Sequence, residues 1–234
     1  MRVIISPAKT MAEGSYTYAS LPSFLSKTKE LLTILQGMEV KDLMHMYHCS
    51  QTIAETNWER FQKMNLEQEL MPAVWRYTGM QYKHIQASAM TEEALTWLQE
   101  HVCIPDAFYG MLRPLDGIVP YRLDFHCRPG MNLYQYWEDM PSTTLQDDIL
   151  LDLAGKEHAS LVLPYFDPDK VYTCVFLKNG KTHSTLAKSA RGEMVKWMAE
   201  NNIQTVEELK RFHALGLVYE PSLSDIHRLV FVVQ

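Results

Sequence analysis

The chain lacks most of the features that announce a function at sight. Its four cysteines, Cys49, Cys103, Cys127 and Cys174, never fall into a CxxC or CxxH pair, so neither a zinc site nor a disulfide framework is signalled and reduced thiols are expected. No apolar run reaches the roughly 18 to 20 residues that span a bilayer. The N-terminal MRVIIS reads as a strand with no small-residue cleavage site, which predicts a soluble cytoplasmic protein without membrane contact. Basic charge is not in excess: the net charge is −6, so any contact with nucleic acid would need a local patch. There is no phosphate-loop motif, no recognised nucleophile motif and no His/Cys/carboxylate cluster at ligand spacing, so no cofactor and no metal is expected. Without a Pro/Gly/Ser-rich linker, a low-complexity tract or a repeat, residues 1–234 read as a single mixed α/β domain.

What is present is an ordinary globular composition, 47% hydrophobic and 21% charged, over 234 residues, enough to bury a core. Arg2 to Ile5 reads as a short buried strand that ends at Ser6-Pro7 and delivers Lys9 onto a loop, a common place for a binding residue. Helical spacing follows from Pro22 to Gly37, Val40 to His48 and Thr52 to Met64, with a short helix from Pro72 to Trp75 ending near Gly79. Thr91-Glu92-Glu93 starts another helix, to about Glu100. Late in the chain the period changes. Ile149–Leu153 and Leu161–Tyr165 read as strands, which puts Lys156 and Glu157 at a strand end. Val171–Leu177, Asn179-Gly180 and Thr182–Leu186 form a hairpin pattern, since Asn-Gly supplies the two positive φ angles of a type I′ turn. Ser189 can cap a helix to about Asn201 that carries Arg191 and Lys196, and Thr205 to Glu208 is a capping box for a second. Between Lys178 and Arg211 seven basic residues stand against four acidic ones, a reversal of the overall sign. Two helices on a tight turn can present free amides to a phosphate backbone, as helix-hairpin-helix DNA binders do, although the turn here lacks their glycines. Arg228 to Val233 closes the chain as a buried strand.

The densest chemistry lies in Phe108 to Phe125, FYGMLRPLDGIVPYRLDF. Two prolines stiffen it, and it carries Arg113, Asp116 and Arg122. Fixed guanidinium groups suit phosphate or carboxylate, because they offer planar, permanently charged donors. The alternative is that an arginine pairs with Asp116 or Asp124 and staples the loop. Nearby, Tyr134, Tyr136 and Trp137 read as a helix face packed under this loop in preference to a stacking platform for bases.

Several blocks together resemble the YaaA peroxide-stress protein family: Ile5 to Thr10 (ISPAKT), Tyr109-Gly110, Leu112 to Asp116 (LRPLD), Pro120 to Leu123, Leu133 to Gln135 with Trp137, and Ala187-Lys188 with Ala190 to Gly192. The resemblance implies a cytosolic protein of the peroxide response that limits free iron and Fenton damage. It further implies a single-domain α/β fold with a central mixed sheet and flanking helices, a positively charged cleft that binds DNA without sequence specificity, and a helix-hairpin-helix element near the C-terminus. On this reading Lys9, Arg113, Asp116, Arg122, Glu157, Lys188, Arg191 and Lys196 are the candidate anion-binding residues. The chain departs from the family where it reads Asp152-Leu153-Ala154-Gly155-Lys156-Glu157-His158: Gly155 and His158 stand at positions that tend to hold serine and tyrosine. The second reading of the same residues is an enzyme acting on a small anionic or nucleotide-like substrate, with Asp116, Lys9, Glu157 and Lys188 as acid/base groups.

Overall fold

The computed structural model describes residues 1–145 and 149–234. Among these residues ten strands, β1 (Arg2–Ile5), β2 (Met71–Pro72), β3 (Val102–Asp106), β4 (Gly110–Leu112), β5 (Gly117–Ile118), β6 (Leu150–Leu153), β7 (Val171–Lys178), β8 (Lys181–Thr182), β9 (Leu217–Tyr219) and β10 (Arg228–Val233), build a main sheet and a two-stranded ribbon of β2 and β5. The main sheet runs β4-β3-β1-β6-β7-β10-β9, with β8 on β7. Its centre, β3-β1-β6-β7-β10, is parallel, and β4, β8 and β9 are added antiparallel. Val3, Ile4, Ile5, Leu150, Leu151 and Leu153 are all buried, as expected of parallel strands covered on both faces.

The order of the strands matters more than their number. From β1 the chain crosses to β3 on one side, whereas from β6 it crosses to β7 on the other. The carboxyl ends of β1 and β6 therefore flank a switch point, the place where open α/β sheets leave a crevice.

Parallel pairing of β6 with β7 also corrects one expectation. Leu161–Tyr165 is not a strand: a parallel neighbour needs a crossover, and Lys156–Val162 forms it as a helix that buries Ala159, Leu161 and Val162, followed by a 3-10 turn at Leu163–Tyr165. Asn179 (φ 52°) and Gly180 (φ 71°) make the expected turn, but its second strand is only Lys181–Thr182. The next helix starts earlier than Ser189 and spans Ser184–Glu200. Gly79 caps a helix, Met80–Ile85, instead of ending one.

The Thr205 capping box forms, yet the helix it opens is a single turn, Val206–Leu209. The Glu208 carboxylate accepts the amides of Gln204 (3.1 Å) and Thr205 (3.0 Å), and the Glu208 amide donates to Thr205 Oγ1. Ser184–Glu200 is thus followed by one helical turn and not by a second full helix, so the expected helix-hairpin-helix pair is not confirmed. No described helix is long and apolar enough to cross a membrane.

Candidate functional site

At the switch point a cavity of about 470 Å³ opens. The loop after β1, Ser6–Met11, forms one wall, and Gly155–His158 after β6 forms another. Ser6 joins the two walls by accepting the Gly155 amide at 2.7 Å. Asp106, at the end of β3, lies in the floor. Gly79 to Tyr82, Tyr121 to Asp124 and the helix Ser184–Glu200 complete the lining.

Five of the eight candidate residues meet here: Lys9, Arg122, Glu157, Lys188 and Arg191. Lys188 and Arg191 are three apart on one helix and so share a face. That helix is seated by Gly192, where a Cβ would fall 2.2 Å from the Gln81 carbonyl oxygen and 2.6 Å from His84 Cβ. Glycine alone lets the two helices approach so closely, which gives the Ala190-Arg191-Gly192 block a physical reason. His84 Nδ1 to Glu193 Oε1, at 2.8 Å, ties the same pair of helices. Gly79 plays a similar part against the β1 loop, since a Cβ there would meet Ala8 Cβ at 2.7 Å.

The cations differ in how far they are satisfied. Lys9 Nζ pairs with Asp124 Oδ2 at 2.7 Å. Lys188 has no ion-pair partner among the described residues. Arg122 is placed by its carbonyl, which accepts the Tyr47 hydroxyl, and its guanidinium lies 5.4 Å from the Tyr47 ring centroid. The Nε atoms of Arg122 and Arg191 are both buried and without a hydrogen-bond partner. Buried donors of this kind are costly unless something accepts from them. Arg191 is also drawn down by burial, with Asp152 nearby opposing the shift.

The anionic members have structural partners. Glu157 Oε1 accepts the Phe125 amide at 2.9 Å, and the Glu157 carbonyl accepts the Tyr134 hydroxyl at 2.9 Å. Phe125 stacks on Tyr134 at 4.9 Å, and Trp137 is fully buried with its indole N–H on the Ala107 carbonyl. Tyr134 and Trp137 therefore pack against the loop, whereas Tyr136 turns to the first helix, its hydroxyl donating to the Lys27 carbonyl at 2.7 Å. His158 faces the cavity, and burial pushes its imidazole down to about 4, so it is neutral near pH 7. A serine at position 155 would be tolerated, since a Cβ there meets Ser6 Oγ at 3.4 Å.

Three candidates lie elsewhere. Asp116 is 0% exposed; its Oδ1 accepts Ser20 Oγ at 2.6 Å and its Oδ2 accepts the Arg113 amide at 2.8 Å. Arg113 Nε stands 3.6 Å from the same carboxylate, so this pair is the staple of its turn. Lys196 Nζ donates to Gln86 Oε1 at 2.5 Å and does not line the cavity.

Residues that pattern reading passed over line the floor. Asp106 is 1% exposed and is bonded by the hydroxyls of Tyr77 and Tyr121. Nothing in the run Ile104-Pro105-Asp106-Ala107 marks that carboxyl; only the burial of the strand it ends could have singled it out. Cys103 and Cys127 are pushed up to about 11 by burial, and Cys174 is raised further, so none of these three is a ready thiolate. Among the described residues no three His, Cys, Asp or Glu side chains gather closely enough to hold a metal ion.

A family model described as peroxide stress protein YaaA matches residues 1–223. Among curated proteins the chain is similar to a UPF0246 protein of Ligilactobacillus salivarius, 40% identical over 99% of this chain and 99% of the relative. A UPF0246 protein of Pediococcus pentosaceus is 38% identical over 99% of this chain and 98% of its own length. One from Lachnoclostridium phytofermentans is 37% identical, covering 99% and 96%. The basic cleft and its supporting glycines thus sit in a chain matched almost from end to end, and that chain belongs to the YaaA peroxide stress protein family.

Proposed function

We propose that the cleft binds the phosphate groups of DNA and that the protein acts by this contact in cytoplasmic peroxide defence. The observation that carries the reading is the convergence of Lys9, Arg122, Lys188 and Arg191 on one cavity, with two buried guanidinium Nε–H groups lacking an acceptor. A phosphate oxygen is the acceptor such donors fit best. At about 470 Å³ the cavity suits one nucleotide unit and not a duplex, so contact is through an exposed nucleotide or a strand end. Limitation of free iron follows as an indirect effect, because the described residues offer no cluster of metal-binding side chains.

The test is retention of single-stranded, duplex and junction DNA across a salt series. Affinity should fall with salt, with a log-log slope of roughly −0.7 to −0.9 per phosphate contacted, and exposed ends should bind best. Absence of any salt-dependent binding at micromolar protein would sink the proposal.

A second reading, an enzyme acting on a small nucleotide-like anion, is favoured by one feature: the cavity is lined by a buried carboxyl, Asp106, that is bonded by the phenol Tyr121 in the lining and by Tyr77 outside it, groups that phosphate binding alone does not require. Turnover that disappears in Asp106→Asn while the ligand still binds would select it.

A further inference from the structure

Asp106 Oδ1 accepts the amides of Phe108 and Tyr109, each at 2.8 Å. Oδ2 is 3.0 Å from the Tyr77 hydroxyl and in a short hydrogen bond with the Tyr121 hydroxyl, and the two hydroxyls are themselves 2.8 Å apart. Three oxygens therefore form a closed triangle in which every side is a hydrogen-bond contact. A phenol brings one hydrogen and an ionised carboxylate none. Two hydrogens fill only two sides, and the third is left as two oxygens in contact with nothing between them. One more hydrogen, on Oδ2, fills all three sides head to tail.

The surroundings favour that hydrogen. Asp124 pairs with Lys9, whereas Asp106 has no ion pair among the described residues, and burial raises its carboxyl against the lowering effect of its four hydrogen bonds. The titratable side chains packed around it, Tyr77, Tyr82, Tyr109 and Tyr121, are phenols that burial also raises, so none supplies charge near neutral pH.

We propose that Asp106 is a neutral acid in the cleft and that the Tyr121 hydroxyl hands its proton to an anionic ligand seated there. This rests on the anion-binding reading above. In the transfer the Tyr121 O–H bond breaks and a ligand O–H bond forms, while the hydrogen on Asp106 passes around the triangle to refill the phenol. The transfer runs only where the bound dianion holds the proton more tightly than Asp106 does, and its end state is a carboxylate that accepts both phenol hydrogens and the same two amides. The ligand class follows from the chemistry. A phosphomonoester loses its second proton with a pKa of about 6 and can take one back near neutrality, whereas an internal phosphodiester of DNA is far too acidic. The acid is thus matched to a terminal phosphate, on a mononucleotide or a strand end.

Infrared difference spectroscopy tests both halves. Ligand-free protein at pH 7 should show the carbonyl stretch of a protonated carboxyl that Asp106→Asn removes and that Tyr77→Phe or Tyr121→Phe shifts. The phenol variants keep the test valid if the Asn variant does not fold. Asp116→Asn and Asp152→Asn should leave the band in place. Saturating thymidine 5′-monophosphate should bleach it in the wild type and spare it in Tyr121→Phe. Absence of an Asp106-dependent band overturns the neutral acid without touching the anion reading. A band that persists under bound nucleotide overturns the transfer. Failure of the nucleotide to bind removes the anion reading, and the transfer with it.

Discussion

Arg113 and Arg122 lie nine residues apart in one stiff stretch, and the fold gives them opposite fates. Arg113 sits beside a fully buried carboxylate that also holds its own backbone amide, and the group closes a turn. Arg122 follows a tyrosine bonded to Asp106, lines the cavity, and keeps a buried Nε–H without an acceptor. Side-chain chemistry is the same in both places. What differs is where each lies relative to the carboxyl ends of β1, β3 and β6. An arginine is free to serve as a binding group where the sheet leaves it a gap to line, and becomes a fastener where a neighbour already fills its donors.

That contrast can be broken in order of effect. The double variant Arg122→Ala/Arg191→Ala should lose on the order of 100-fold or more in affinity for a 5′-phosphorylated oligonucleotide, since hydrogen bonds to charged groups contribute about 1.5 to 3 kcal/mol each. Fluorescence anisotropy measures it, and an unchanged affinity would show that the cleft is not the binding site. Next is pH. His158 is depressed from 6.5 to about 4, so its contribution to stability is complete above pH 6.5 and is lost as pH falls towards 4. The loss should be up to about 3 kcal/mol by urea denaturation and should be abolished in His158→Gln. Asp116 works the other way: burial raises it above 3.8, so its contribution is present in acid and lost as pH rises through its folded value. The cleft and the staple thus titrate with opposite signs.

Asp116→Ala should cost about 2 kcal/mol at neutral pH, because the Arg113 amide and the Ser20 hydroxyl lose their acceptor, yet leave oligonucleotide affinity unaltered. An affinity loss as large as that of the cleft variant would erase the distinction between the two regions. The smallest effect belongs to Lys196→Ala, within about 0.5 kcal/mol in stability and with no change in binding, since this lysine reaches Gln86 and not the cavity.

Local signals carried part of this picture. Arg2–Ile5, the Asn179-Gly180 turn, the Thr205 capping box and the closing strand are short-range features, and chain chemistry declares them directly. Lys9 stood out because a strand ended just before it. Leu161–Tyr165 misled because an apolar run has no period of its own, and only the parallel pairing of β6 and β7 requires a helix there. Asp106 was invisible because its phenol partners are 29 and 15 residues away in the chain. The same holds for Asp116: its acceptor role depends on Ser20, 96 residues off, so the choice between staple and cleft was never local. The length of the second helix was hidden as well, since a capping box fixes where a helix begins and says nothing about how soon it stops.

The contacts at Gly79 and Gly192 have a consequence for selectivity. Each marks a place where one added methyl group would collide, with Ala8 in the first case and with Gln81 and His84 in the second. The segments carrying Lys9, Tyr82 and Arg191 are therefore locked together with no slack, and the aperture has its width before any ligand arrives. On the proposed anion-binding function such a jaw would work as a gauge: it would reject by calibre first and by charge second, and a cell rich in small anions would find most of them admitted but poorly gripped.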